Sequence, residues 1–121
     1  MKAKSYRDLI VWQKALDVVE LVYRATEDFP KVEQYGLASQ MRRASVSVPS
    51  NIAEGQSRHS TKEFISFLSD ARGSNAEIET QLIIAVRLNF LKQTDADVIF
   101  DKCAEVGKML NALIASLESD N

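Results

Sequence analysis

Apolar residues recur at alternating steps of three and four along most of the chain, the spacing of one face of an α-helix. This pattern predicts helix 1 over residues 8–28 and helix 4 over residues 95–118. Pro30 ends helix 1 because proline donates no amide hydrogen bond, and Thr94 is the predicted N-cap of helix 4. The predicted core positions are Leu9, Trp12, Leu16, Val19, Tyr23 and Thr26 in helix 1, and Ile99, Cys103, Val106, Leu110, Leu113 and Leu117 in helix 4.

Helix 3 is predicted over residues 61–91. It opens on a capping box, in which Ser60 and Glu63 each satisfy a free backbone N–H of the first turn. Its predicted core positions are Phe64, Phe67, Leu68, Ala71, Ile78, Leu82 and Ala85.

The stretch "RRASVSVPSNIAEG", residues 42–55, is ambiguous. Polar and apolar residues alternate from Ser45 to Val48, as in a strand, but a lone strand beside three helices would leave backbone groups unpaired. Helical spacing is the better interpretation, because it places Leu37, Met41, Ala44, Val48 and Ile52 on one face. We therefore predict helix 2 over residues 33–54, kinked at Pro49, with Gly55 as its C-terminal cap.

Four helices with short connections predict one all-α domain over residues 1–121. The simplest architecture is an antiparallel up-down-up-down four-helix bundle with a proline-kinked second helix.

Several helices carry a second apolar stripe beside the predicted core face. Extra apolar surface with a polar rim is typical of a partner site, so a homo-oligomer is expected, and the alternative is a bundle whose helices bury wider arcs. The residues predicted for the oligomer interface are Val11, Ala15, Val18, Val22, Val46, Pro49, Ile65, Arg72, Ile83 and Phe90.

Polar residues also fall on or near apolar faces. Asn51, Glu54, Ser74 and Asn75 are predicted to form a buried hydrogen-bonded network, since burying such groups without partners is costly. Either the network sets the register of the helices, or it lines a ligand or catalytic pocket.

The net charge is −2 and the isoelectric point is near 5.4, which does not favour binding to nucleic acid by bulk charge. A local basic cluster is nevertheless predicted from Arg42, Arg43, Arg58 and Lys62, which are candidate nucleic-acid contacts. Alternatively, Arg58 and Lys62 meet the free carbonyls at the end of helix 2.

Recognisable catalytic chemistry is missing from the sequence. The single cysteine and the single histidine, Cys103 and His59, have no metal-site spacing, and no nucleophile elbow or phosphate loop occurs. We expect no enzyme activity, no cofactor and no metal, and a cytoplasmic protein that does not enter a membrane. A less favoured enzyme hypothesis places Glu54, Asn75 and Glu77 in an interior pocket.

The segments "DLIVWQKALDVVELVYRAT", "EQYGLASQMRRASVSVPSNIAEG" and "FISFLSDARGSNAEIETQL" together resemble the four-helix bundle family named for intervening sequences in 23S ribosomal RNA genes. The resemblance implies homopentameric rings of unestablished biochemical role. It extends to accessory proteins of diversity-generating retroelements, which bind nucleic acid and a reverse transcriptase. The family positions are Arg42, Arg43, Asn51, Glu54, Gly55, Gly73, Ser74 and Glu77, which we assign to fold and assembly.

The expected function is therefore a non-enzymatic oligomeric scaffold associated with RNA or with a nucleic-acid-processing protein. The alternative is a protein–protein interaction module that binds no nucleic acid.

Overall fold

A computed structural model describes residues 5–120, in which the regular structure is entirely helical. The four long helices are α1 (Ile10–Thr26), α2 (Leu37–Gln56), α3 (Thr61–Arg87) and α4 (Gln93–Ser119). Short 3-10 turns at Tyr6–Asp8 and Lys31–Glu33 precede α1 and α2. The prediction of an all-helical chain with four helices is confirmed.

The ambiguous stretch around Pro49 is helical. Residues 45–48 lie within α2, which continues through a buried Pro49. The hydroxyl of Ser45 donates a hydrogen bond of 2.8 Å to the carbonyl of Arg42. The strand interpretation was wrong, because α2 buries one face along its whole length instead of alternating sides.

Each helix packs against two others. Helix α1 contacts α2 and α4, helix α3 contacts the same two, and within residues 5–120 the diagonal pairs have no Cα atoms within 8 Å of each other. One apolar core runs between the four helices. The rings of Phe29 and Phe90 lie 5.7 Å apart, so the α1–α2 and α3–α4 connections meet at one end of the molecule.

The first helix was predicted to have one apolar face in the core and a second at an oligomer interface, and in the structure it is the second face that lies in the core. The residues assigned to an oligomer interface, namely Val11, Ala15, Val18 and Val22, are buried in the chain's own core. Polar contacts with the two neighbouring helices accompany this rotation. On one side Lys14 Nζ lies 2.9 Å from Glu105 Oε1 of α4, and on the other Arg42 of α2 reaches Thr26. Of the predicted core residues of this helix, Thr26 is buried as predicted, whereas Leu9, Trp12, Leu16, Val19 and Tyr23 are half-buried or exposed and lie on a flank.

The predicted cores of α3 and α4 are close to those observed. Leu68, Ala71, Ile78, Leu82 and Ala85 are buried in α3, whereas Phe64 and Phe67 are half-buried. In α4 the buried residues are Ala96, Ile99, Cys103, Val106, Leu110 and Ile114, whereas Leu113 and Leu117 are half-buried.

Most helix ends differ from the predictions by one to four residues, and α2 spans Leu37–Gln56 instead of residues 33–54. Ser60 caps α3 as predicted, accepting a hydrogen bond of 3.0 Å from the Glu63 amide. However, α3 ends at Arg87, because Asn89 adopts a left-handed conformation with φ of 62°. The amide of Phe90 then bonds the carbonyl of Ala85 at 2.9 Å, closing the helix with a Schellman motif.

The predicted cap at Thr94 was wrong. Helix α4 begins at Gln93, so Thr94 lies inside its first turn, and Lys92 is the N-cap without a side-chain hydrogen bond. Within this first turn, the side-chain Nε2 of Gln93 donates a hydrogen bond of 2.8 Å to Asp97 Oδ1.

Candidate functional site

The outer side of the contact between α1 and α2 is apolar. We call it the α1–α2 surface, and its residues are Trp12, Leu16, Val19 and Tyr23 from α1 and Val46 from α2. Tyr23 is 44% exposed and Val46 is 41% exposed. Val46 was predicted for the oligomer interface and is accessible. Pro49 was predicted for the same interface but is buried within the chain, since it lies closer to the core face of α2.

Arg42 crosses this surface. Its Nε donates a hydrogen bond of 2.9 Å to Thr26 Oγ1, and its guanidinium carbon lies 5.3 Å from the centre of the Tyr23 ring. This arrangement shields one face of the ring and holds the charge at the surface.

A second flank lies on α3 beside α4. We call it the α3–α4 surface. Its residues recur at steps of seven, four and three and are Ile65, Arg72, Ala76, Glu79, Ile83 and Val86. Arg72 Nη1 donates a hydrogen bond of 3.0 Å to Asn111 Oδ1 of α4, which fixes the direction that this flank faces. Ile83 is exposed, and Ile65 and Val86 are half-buried against the core. Phe90 was predicted here but packs on Phe29 within the chain, because the Schellman turn directs it inward.

A polar seam joins α2 to α3. The Ser74 hydroxyl donates to Ser47 Oγ at 3.0 Å, and Asn51 Nδ2 donates to the same oxygen at 3.0 Å. A groove of about 290 Å³ lies beside this contact. Its lining residues are Gln40, Arg43, Ala44, Ser47, Ser74 and Glu77.

Two members of the predicted polar network lie apart from this seam. Glu54 is exposed and pairs with Arg58, so its predicted burial was wrong; the last turn of α2 turns it to the solvent. Asn75 is buried but faces α4, where its Nδ2 donates to the Cys103 carbonyl at 2.9 Å. Its Oδ1 has no hydrogen-bond partner among the described residues, and neither has Oε1 of Gln81.

Gln81 is a further buried polar residue, only 4% exposed, and its burial was not predicted from the sequence. Its position three residues after Ile78, on the same side of the helix, was the available signal.

The four predicted basic residues do not form one patch. Arg58 lies 3.3 Å from Glu54 and 3.9 Å from Glu63, and its guanidinium stacks on Phe67, so its charge is compensated within the chain. Arg42 lies 14 residues before the end of α2 at Gln56, which is about 21 Å at a rise of roughly 1.5 Å per residue, and Arg58 follows that end. Arg43 and Lys62 are exposed, and no ion pair with another described residue involves them.

Gly55 has a different role from the predicted helix cap. It is buried inside α2, and no glycine among residues 5–120 has a positive φ. A Cβ atom at this position would lie 2.6 Å from Phe67 Cβ and 3.0 Å from Phe64 Cδ1. Gly55 is therefore needed for the close approach of α2 and α3.

Reactive chemistry is not concentrated anywhere in the described part of the chain. Burial, with a smaller contribution from the Glu79 charge, raises the pKa of the Cys103 thiol to about 12, so the thiol stays protonated and unreactive. Residues 5–120 contain no group of three His, Cys, Asp or Glu side chains placed to hold a metal ion. Nor does any helix in this range have the length and apolar character needed to cross a membrane.

These features define a class of protein: a four-helix chain distinguished by apolar flanks and a polar seam. The chain belongs to the 23S rRNA-intervening sequence protein family, whose model matches residues 7–112. The resemblance found in the sequence is thereby confirmed.

A solved structure has a similar fold. It is a protein of unknown function from the S23 ribosomal protein family of Bacteroides thetaiotaomicron VPI-5482, with a TM-score of 0.79 and 23% sequence identity. The match covers 88% of this chain and 96% of that one. A comparison with curated proteins gives no match.

Proposed function

We propose that copies of this chain assemble into a closed ring that serves as a non-enzymatic scaffold. The observation that supports it is the presence of two apolar flanks on different sides of the molecule. In the order in which the helices touch, the α1–α2 and α3–α4 contacts are opposite one another. An interface between two different flanks is head-to-tail. Such contacts form a ring when the rotation from one subunit to the next brings the last subunit back to the first.

The finer architecture belongs to the same proposal. We propose up-down-up-down helices and a kink at Pro49, where a backbone hydrogen bond is lost. The number of copies, five, rests on the family resemblance alone, and the cytoplasmic location rests on the single unpaired cysteine.

The first experiment is an absolute mass by light scattering on a chromatographic peak. A mass several times the chain's 13.5 kDa, constant over a tenfold dilution, is expected for a closed ring. A monomer at all concentrations would overturn the proposal. A mass that keeps growing with concentration would also do so, because an open chain of subunits does not stop at one size.

RNA binding is a second candidate function of the ring. It is supported by the exposed Arg43 beside the α2–α3 groove and by the exposed Lys62, whose charges a ring would repeat around its axis. The bound RNA should be recognised through phosphates, so high salt should release it.

The matched test of RNA binding compares two double variants. Arg43→Ala/Lys62→Ala should weaken binding to single-stranded RNA, whereas Lys31→Ala/Lys92→Ala removes the same charge from the α1–α2 and α3–α4 connections, outside the α2–α3 groove, and should not. Arg42 and Arg58 are omitted, because their contacts within the chain would confuse the result. Equal binding by both variants would contradict this candidate.

The alternative is a ring that docks another protein and binds no nucleic acid. The supporting observation is the α1–α2 connection, where Val32 is 82% exposed and Tyr35 is 94% exposed. Val32→Ser/Tyr35→Ser should then leave the mass of the ring unchanged, because this segment lies outside both flanks. A ring that retains RNA at low salt would contradict the alternative.

A further inference from the structure

We infer that Arg42 of one copy pairs with Glu79 of the next copy, with the α1–α2 surface of each subunit packed on the α3–α4 surface of its neighbour. This inference rests on the proposed ring and specifies its interface. It assigns Arg42 to subunit contact instead of nucleic-acid contact.

The two charged residues lie at the same height in the molecule. Gly55 lies against Phe64 and Phe67, and Ser47 bonds Ser74, so α2 and α3 run in opposite directions. Arg42 is five residues before Ser47, and Glu79 is five residues after Ser74. Both are therefore displaced by about 7.5 Å from that contact in the same direction, at roughly 1.5 Å per residue.

They also lie on different sides of the molecule. Arg42 faces α1, as its contacts with Thr26 and Tyr23 show. Glu79 faces α4: it is seven residues from Arg72, which bonds α4, and its charge acts on Cys103 of that helix. A rotation about an axis parallel to the helices keeps height unchanged, so it brings Arg42 of one subunit level with Glu79 of the next.

Each charge has unused bonding capacity. Only the Nε of Arg42 makes a hydrogen bond with a described residue, which leaves its two terminal nitrogens for another acceptor. Glu79 is half-buried and has no ion pair within residues 5–120. Burying this carboxylate at an interface would be unfavourable without a cation beside it, so a guanidinium from a second copy fits this position.

The apolar residues around the two charges are complementary in size. Tyr23 lies under the Arg42 guanidinium and projects from the α1–α2 surface. On the α3–α4 surface, Ala76 is exposed one turn from Glu79 and leaves space for a large ring. The proposed contact therefore pairs the Arg42 cation with the Glu79 carboxylate and places the large Tyr23 side chain beside the small Ala76.

Charge reversal tests the pair. Arg42→Glu and Glu79→Arg each place like charges together and should weaken self-association by on the order of 100-fold. Arg42→Glu/Glu79→Arg should restore the mass of the wild-type ring. Arg43→Glu is the matched control, because it reverses the neighbouring charge on the α3 side of α2 and should leave the mass unchanged.

A cross-linking experiment guards against loss of fold in the charge variants. In Arg42→Cys/Glu79→Cys, a short bifunctional maleimide should join subunits into a ladder that ends at the ring size, and each single cysteine variant should give no ladder. Circular dichroism confirms the helical content of every variant.

The outcomes separate the two proposals. A wild-type monomer would overturn the ring itself. A wild-type ring whose mass survives Arg42→Glu, or whose double reversal stays dissociated while folded, would overturn only the Arg42–Glu79 contact. Cross-linked dimers from a single cysteine variant would indicate a two-fold interface and would likewise overturn it.

Discussion

Helix α2 packs against α3 and against α1 through different kinds of side chain. Against α3 it packs through Gly55 and through serine and asparagine side chains that bond one another, as Ser47 and Ser74 do. Against α1 it leaves an apolar outer surface with Tyr23 and Val46 partly exposed. The first contact is completed within the chain, whereas the second leaves surface for a partner. Stability and assembly should therefore depend on different residues of one helix.

The largest effect is expected where α2 and α3 are closest. Gly55→Val should lower the free energy of unfolding by about 3 kcal/mol, because its side chain would overlap Phe64 and Phe67. Chemical denaturation measures the change. The control is Gly73→Val, where an added Cβ meets nothing within 4 Å and the change should stay below about 0.5 kcal/mol. Equal losses at both glycines would contradict the close contact.

A smaller effect, on association instead of folding, is expected at the α1–α2 surface. Tyr23→Ala should weaken self-association by about 2 kcal/mol, the size typical of a buried aromatic residue at an interface. The unfolding free energy should change by less than about 1 kcal/mol, since the side chain is exposed in one copy. Mass as a function of concentration and denaturation at fixed concentration give the two values.

Val22→Ala is the matched variant for Tyr23, because Val22 is fully buried next to it on the core face. It should lower the unfolding free energy by about 2 kcal/mol, through lost burial and the cavity it leaves. Association of the folded protein should be unchanged. The same response from both variants would show that the two faces of α1 are not distinct.

The smallest effect is expected at the polar seam. Ser74→Ala should cost about 1 kcal/mol of unfolding free energy, since it removes a half-buried hydrogen bond to Ser47. Ser66→Ala, on the exposed side of the same helix, should be nearly neutral. A neutral Ser74→Ala would mean that Asn51 alone satisfies Ser47.

Several local features followed from the sequence because they depend on neighbours in the chain. Apolar spacing predicted the four helices, and the Ser60 cap was predicted from residues within four positions of it. The helical state of residues 45–48 was inferred only indirectly, since their own alternating pattern favours a strand. The end of α3 was misplaced because Asn89, not glycine, takes the left-handed position there.

The rotation of α1 was not determined by its sequence. Its two apolar stripes have the same period, and the pattern gives no reason to bury Val18 instead of Val19. Packing against residues distant in sequence decides it, and in the resulting orientation Lys14 pairs with Glu105 and Thr26 with Arg42. The arrangement of the candidate site was likewise not determined by the sequence. The four basic residues lie apart and Glu54 faces the solvent, because each side chain of a helix can point to only one side of it.

The number of helices, the family and most of the core positions of α2, α3 and α4 follow from the sequence alone, because periodicity and motifs are properties of neighbouring residues. Only the tertiary structure decided which apolar stripe is core, why Gly55 must be small, and that Arg42 and Glu79 stand at one height on different sides. The physical reason is that burial and charge pairing depend on which helices meet, and this is set by packing between residues far apart in the chain.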